Sequence, residues 1–254
     1  SFSIPSIVIK SLMDVYNTHN YKMVIKICDA VANDLHSYYK DIHREISYWA
    51  CLALCRMAKN SERNANRFWT EIKNIDGTDE EFLKGFYFRN QGDYQRAERY
   101  YRQALEHSPN MQRAKRELVT VLLCQKCFDD ALSLAKENFE KDSDNTYHIH
   151  AYFRCLVRKH NLGREDIRII NNLMEAVQNS YSTKKDELSA AMDIEYQAYV
   201  RKTNVPKMLQ LISDYLHIYG DSMDVRRAAN EYKLRQGIIS KDTFEQEENK
   251  LLID

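Results

Sequence analysis

Residues 85–109 read GFYFRNQGDYQRAERYYRQALEHSP, and this stretch decides the fold. Gly92 suits the left-handed backbone that ends a helix, and Asp93 suits the cap of the helix that follows. Ala97, Tyr101 and Ala104 stand at i, i+4 and i+7, which puts them on one apolar face. Pro109 stops that second helix. Gly85 has no side chain, so the second helix can approach the first closely there. The stretch therefore predicts two antiparallel helices joined by a tight turn.

A step of 34 residues from Ala97 lands on Ala131, in KCFDDALSLAKENFEKDSDN. Phe128 then matches Tyr94, and Ala135 matches Tyr101. A further step reaches TYHIHAYFRCLVRKHNLG, where Ile149, Tyr152 and Leu156 keep the apolar face but the Ala and Pro markers are gone. Gly85, Phe88, Ala97, Tyr101 and Pro109 together resemble the tetratricopeptide repeat (TPR), whose 34-residue unit reads W-x2-L-G-x2-Y, then A-x3-F, then P. Glu81 and Lys84 depart from it, standing where Trp and Leu are usual. The resemblance covers residues 78–160. It gives clear repeats at 78–111 and 112–145, divergent pairs over 1–77, and divergent repeats with a cap over 146–254. The flanks fit helix pairs at 5–17 with 20–35, 39–58 with 61–75, 183–203 with 204–219, and 222–236 with 240–251. Gly220 and Gly237 follow helical runs as caps do. About seven pairs in 254 residues is roughly one per 36, close to the repeat period. The resemblance implies one all-α domain over 1–254, a right-handed TPR-type α-solenoid whose divergent ends act as caps.

Composition agrees. Six glycines and three prolines in 254 residues fall far below the roughly 12% of average chains, too few for the turns of a β-sandwich or barrel. The densest apolar run, YWACLALC at 48–55, is far short of the ~18 residues of a membrane span. Six cysteines are too sparse for a disulfide scaffold and read as thiols of a reducing, cytoplasmic compartment. The N-terminus lacks a signal-peptide pattern, and its first residue is Ser, as in a piece of a longer protein. Thirty-seven basic residues balance 37 acidic ones, which argues against a dedicated nucleic-acid binder. The basic run at 84–116 interleaves Arg96, Arg99 and Arg102 with Glu98 and Glu106, the pattern of a salt-bridged helix face.

Chemistry-bearing clusters are few. Cys124 and Cys127 form a CxxC without a second ligand pair, because Cys51 and Cys55 lie in a distant repeat. Its plain reading is a helix residue and a turn residue. His148 and His150 point about 200° apart on one helix and cannot share a metal. Together with Cys155 and His160 they read as ordinary surface and groove residues. Glu71, Asp76 and Asp79 to Glu81 read as a solvated helix start favoured by the helix dipole. No nucleophile elbow, P-loop, HExxH or dinucleotide fingerprint occurs. The expectation is a non-enzymatic chain with no cofactor and no metal.

The resemblance also implies where a partner would sit. Ligand-facing side chains of TPR proteins come from positions 2, 5, 9 and 12 of each first helix. Here those are Asp79, Phe82, Phe86 and Arg89; Arg113, Arg116, Thr120 and Leu123; and Tyr147, His150, Arg154 and Val157. The expected concave wall is thus Phe82, Phe86, Arg89, Arg113, Arg116, Thr120, Tyr147, His150 and Arg154. It suits a protein or peptide with acidic and hydrophobic anchors, since arginine binds carboxylates bidentately. Phe82, Phe86 and Tyr147 have packing between repeats as their alternative role. The Lys/Asn/Asn/Lys/Arg clamp of chaperone-binding members is not matched: Phe82 and Phe86 stand where its first Lys and Asn would fall. The leading expectation is a protein–protein interaction scaffold. Beside it stand a sensor or regulatory C-terminal tail of a larger protein and a helical-repeat nucleic-acid binder. The divergent end pairs and 17 tyrosines offer surface for homo-oligomerisation.

Overall fold

The computed structural model describes residues 4–34 and 36–253. Residues 1–3, 35 and 254, which fall within the expected end pairs, lie outside the described residues. Fourteen α-helices and no strand occur among the described residues. They fall into seven consecutive pairs: α1 (Ile4–Asn17) with α2 (Tyr21–Asp34), α3 (His36–Met57) with α4 (Glu62–Glu71), α5 (Gly77–Gln91) with α6 (Tyr94–His107), α7 (Gln112–Cys124) with α8 (Phe128–Lys141), α9 (Thr146–Val157) with α10 (Arg164–Gln178), α11 (Lys185–Tyr199) with α12 (Val205–Tyr219), and α13 (Met223–Arg235) with α14 (Lys241–Ile253). The expected all-α helix-pair solenoid class is the one observed. The chain divides into two compact units, residues 1–121 with 249–254, and residues 122–248.

The two helices of a pair do different jobs, and burial shows it. Second helices bury one stripe: Ala97, Tyr101 and Ala104 on α6; Ala131, Ala135 and Asn138 on α8; Ile170, Leu173 and Val177 on α10. These are the i, i+4, i+7 and i, i+3, i+7 spacings of a helix with one wet face. The first helices α3, α5, α9, α11 and α13 are buried on more than one face, whereas α1 at the end of the array buries, among the described residues, only Leu12 and Tyr16. In the first unit, residues 50–55 of α3 are each at most 1% exposed, because α3 packs against α1, α2, α4 and α5. That explains the dense apolar run at 48–55. In the second unit α9, α11 and α13 pack side by side in the same way, with α12 covering α11 and α13. Ala190, Ala191, Ile194, Met208, Ile212, Val225 and Ala229 form the core there.

The turns inside pairs repeat as well. Gly92 has φ 81°, with its N–H bonded to the Arg89 carbonyl at 3.0 Å and the Asp93 N–H to the Phe88 carbonyl at 2.9 Å. Asp93 then caps α6 by accepting the Arg96 N–H at 3.0 Å. Thirty-four residues on, Lys126 takes φ 61°, its N–H bonds Leu123 at 3.0 Å and the Cys127 N–H bonds Leu122 at 2.9 Å. His19 with Asn20 and Asn60 with Ser61 repeat the pattern, a left-handed residue followed by a capping side chain. Gly237 is left-handed after α13, whereas Gly220 is right-handed at φ −60° and is not a cap of the expected kind.

Lys126 is a β-carbon-bearing residue in a conformation that costs roughly 1 kcal/mol, and Cys127 gives α8 no side-chain cap. The double change Lys126→Gly with Cys127→Asp copies the Gly92-Asp93 turn into the next repeat. It is expected to raise stability by about 1–2 kcal/mol, read as a rise in melting temperature by circular dichroism. An unchanged or lower melting temperature would contradict the turn assignment.

Candidate partner-binding face

The side chains expected to meet a partner divide between the two units. In the first, Phe82 and Phe86 are 2% and 3% exposed. Their rings lie 5.9 Å apart and nearly parallel, Phe82 is 5.7 Å from the Tyr101 ring, and the Arg56 guanidinium stands 4.7 Å over Phe86. Both take the packing role weighed for them. An aromatic ring on a first helix that is enclosed on most sides is worth more inside than out.

The arginines of this unit already have work. Arg113 donates to the Tyr48 hydroxyl at 2.7 Å, and its guanidinium sits 5.7 Å from the Phe82 ring. Burial pushes the Tyr48 phenol up, against the pull of Arg113. Arg89 Nε is 2.9 Å from Glu117 Oε2. Asp79, in the same repeat position as Arg113, accepts from Arg44 at 2.9 Å. Thr120 is half-buried and donates its hydroxyl to the Arg116 carbonyl at 3.2 Å. Arg113, Arg116 and Thr120 follow one another along the half-buried face of α7.

In the second unit, Tyr147 is 59% exposed in the first turn of α9, behind the cap formed by Asn145. His150, Arg154 and Arg158 recur at i, i+4 and i+8, so α9 aims one cationic stripe at α11 and α13. Two carboxylates meet it. Arg158 Nη1 lies 2.5 Å from Glu195 Oε2 and its Nη2 lies 2.9 Å from Glu231 Oε2; Arg154 Nη2 lies 3.1 Å from Glu231 Oε1. His150 Nε2 stands 3.7 Å from Glu195 Oε1, beyond hydrogen-bonding range. Glu195 is 5% exposed. Burial alone would raise its carboxyl, but Arg158, His150 and Arg154 overcome that and hold it well below the usual carboxylate range. Two guanidiniums stand over the Tyr199 ring, Arg158 at 4.8 Å and Arg235 at 4.0 Å from its centre.

This network ties three first helices together, and it uses the Arg154 that was expected to hold a partner's carboxylate. Sequence reasoning missed Glu195, Glu231 and Arg158. The readable signals were the i, i+4, i+8 basic stripe and a glutamate set between the apolar Ile194 and Tyr196.

The candidate chemical groups lead elsewhere. Cys124 and Cys127 are exposed at the end of α7 and in the turn after it, so Cys124 does not pack inward. Burial pushes the Cys28 and Cys155 thiols up to about 12, which leaves them protonated and poorly nucleophilic at neutral pH. His148 is 1% exposed, a core histidine rather than a surface one. Among the described residues no three His, Cys, Asp or Glu side chains are grouped so as to hold a metal ion. No helix among them is long and apolar enough to cross a membrane.

Residues 81–111 match the family model of the tetratricopeptide repeat. The match falls on α5 and α6 with the turn that follows, so this segment is a tetratricopeptide repeat, as the resemblance implied. No curated protein sequence matches the chain. Among solved structures the chain is similar to one chain of a structure described as "Structure of Naa15/Naa10 bound to HypK-THB", with 13% sequence identity and a TM-score of 0.42. The likeness covers 98% of this chain and 37% of that one, so this chain spans little more than a third of its neighbour's length.

Proposed function

We propose that this chain is a non-enzymatic scaffold for protein–protein interaction, with residues 1–254 working as one repeat array in a reducing, cytoplasmic setting. The observation that carries the reading is the division of labour between helices. First helices line up side by side within each unit, around a tetratricopeptide repeat at 81–111, and second helices cover them with one apolar stripe. Such arrays work by offering an extended wall of first-helix side chains to another protein.

The partner-facing residues are Arg113, Arg116 and Thr120 in the first unit and Tyr147 in the second; within its own unit, Arg89 is held by Glu117, and His150 and Arg154 stand by Glu195. Arg113 keeps donor capacity beyond its bond to Tyr48, since a guanidinium has five N–H groups. An acidic side chain of the partner would dock there, and an apolar one would dock on Tyr147.

Site-specific photo-crosslinking tests this. A benzoylphenylalanine placed at Thr120 or Tyr147 is expected to give a nuclease-resistant protein adduct in lysate of the source cells. The same probe at Arg102 or Lys136, on the wet faces of α6 and α8, is expected to give none. Adducts only at the second-helix positions would place the partner on the other face. Adducts lost on nuclease treatment would move the reading to nucleic acid.

A further inference from the structure

The second unit contains a cleft that the first-helix wall does not use. Its volume is about 430 Å³, within the roughly 300–1,000 Å³ typical of ligand-sized clefts. Its walls are second helices, α10 and α12, and its floor is α11. Asp186, Ser189 and Asp193 line the floor at i, i+3 and i+7, Glu175 stands on the α10 side, and the Tyr215 and Tyr219 rings stand on the α12 side.

The charge of this cleft is one-sided. Three carboxylates line it, and no lysine or arginine does, among the described residues. None of the three is in an ion pair among the described residues. Asp193 accepts from the Tyr215 hydroxyl at 2.7 Å and from the Gln197 amide at 3.2 Å, so it is held in place without being neutralised. Ser189 Oγ, in the floor, is buried and has no hydrogen-bond partner among the described residues. In a chain of zero net charge, where most charged side chains near the first helices are paired, an unpaired acidic hollow with aromatic walls is complementary to one kind of group. A cation held between tyrosine faces and carboxylates gains from both.

We infer that the α10–α11–α12 cleft binds a short basic segment of a partner protein, seating a lysine or arginine side chain between Glu175, Asp186, Asp193 and the two tyrosines. The site draws on the second helices α10 and α12 and on Asp186, Ser189 and Asp193 of α11, none of them among the partner-facing residues proposed above.

A positional-scanning heptapeptide library with one fixed central residue tests the proposal on the full chain. Arginine or lysine at the fixed position is expected to be retained at least fivefold over citrulline or norleucine. The variant Glu175→Gln with Asp186→Asn, both exposed positions, is expected to erase that preference while its melting curve stays unchanged. Equal retention of arginine and citrulline would overturn the proposal. So would a preference that persists in the variant, or saturable binding of spermine without any peptide preference.

Discussion

Glu195→Ala is expected to destabilise the second unit by about 3–5 kcal/mol, the cost of leaving buried charge without its partner. Two guanidiniums depend on Glu195, and the Arg158 side chain is only 9% exposed. The remaining carboxylate, Glu231, is more open at 31% and would have to serve both arginines alone. Urea denaturation should show the loss as a lower midpoint, and hydrogen exchange should place it in α9, α11 and α13. A loss under 1 kcal/mol would mean that water already reaches the network. Replacing Glu195 and Arg158 together by methionine is expected to cost less than Glu195→Ala alone, because an apolar pair of similar volume leaves no orphaned charge. The pH dependence follows in sign. The Glu195 carboxyl is held below its ordinary range in the folded state. Its contribution is therefore fully present above the ordinary carboxylate pKa, and is given up as the pH falls through and below that range. The gap in stability between wild type and Glu195→Ala should accordingly narrow in strong acid.

That network also marks where sequence reading stopped. The seven pairs were legible because apolar spacing and turn chemistry are local signals. Gly92 and Asp93 announce their turn, since glycine is the usual left-handed residue. His19, Asn60 and Lys126 adopt the same backbone without a glycine; the 34-residue register points to Lys126 alone, and His19 and Asn60 lie off it. The partner wall was less legible. Position within a repeat says which way a side chain points, but not what stands opposite. Phe82 and Phe86 point toward neighbouring helices that enclose them. Arg154 points at Glu195 and Glu231, which are 41 and 77 residues away along the chain. A one-dimensional pattern shows the cationic stripe on α9 and cannot show that its counter-charges come from inside the same unit. The acidic cleft was invisible for the same reason: its carboxylates come from two helices whose spacing only the packing sets.

Gly85→Val is expected to cost about 3 kcal/mol, at the upper end of what overpacking a core does. A β-carbon at Gly85 would stand 2.7 Å from Tyr101 Cε1, 2.8 Å from Cδ1 and 3.3 Å from the Ala97 carbonyl oxygen. The tyrosine cannot move aside, because it is fully buried and packs on Phe82. In an open helix, Gly→Ala would gain about 1 kcal/mol from propensity. Here even Gly85→Ala should lose stability, since the clash exceeds that gain. The ring itself supplies the control. Tyr101 Oη is buried with no hydrogen-bond partner among the described residues, and burial pushes its phenol well above the ordinary range. Tyr101→Phe, which restores the residue usual at this position in the repeat it resembles, should therefore be neutral or stabilising by about 1 kcal/mol. Tyr101→Leu opens the space a β-carbon needs, so Gly85→Ala should cost less in that background, with a coupling of about 1 kcal/mol or more. Additive effects across the cycle would mean that α5 and α6 are held apart by something other than the Gly85–Tyr101 contact. The glycine would then be a repeat marker without a packing role.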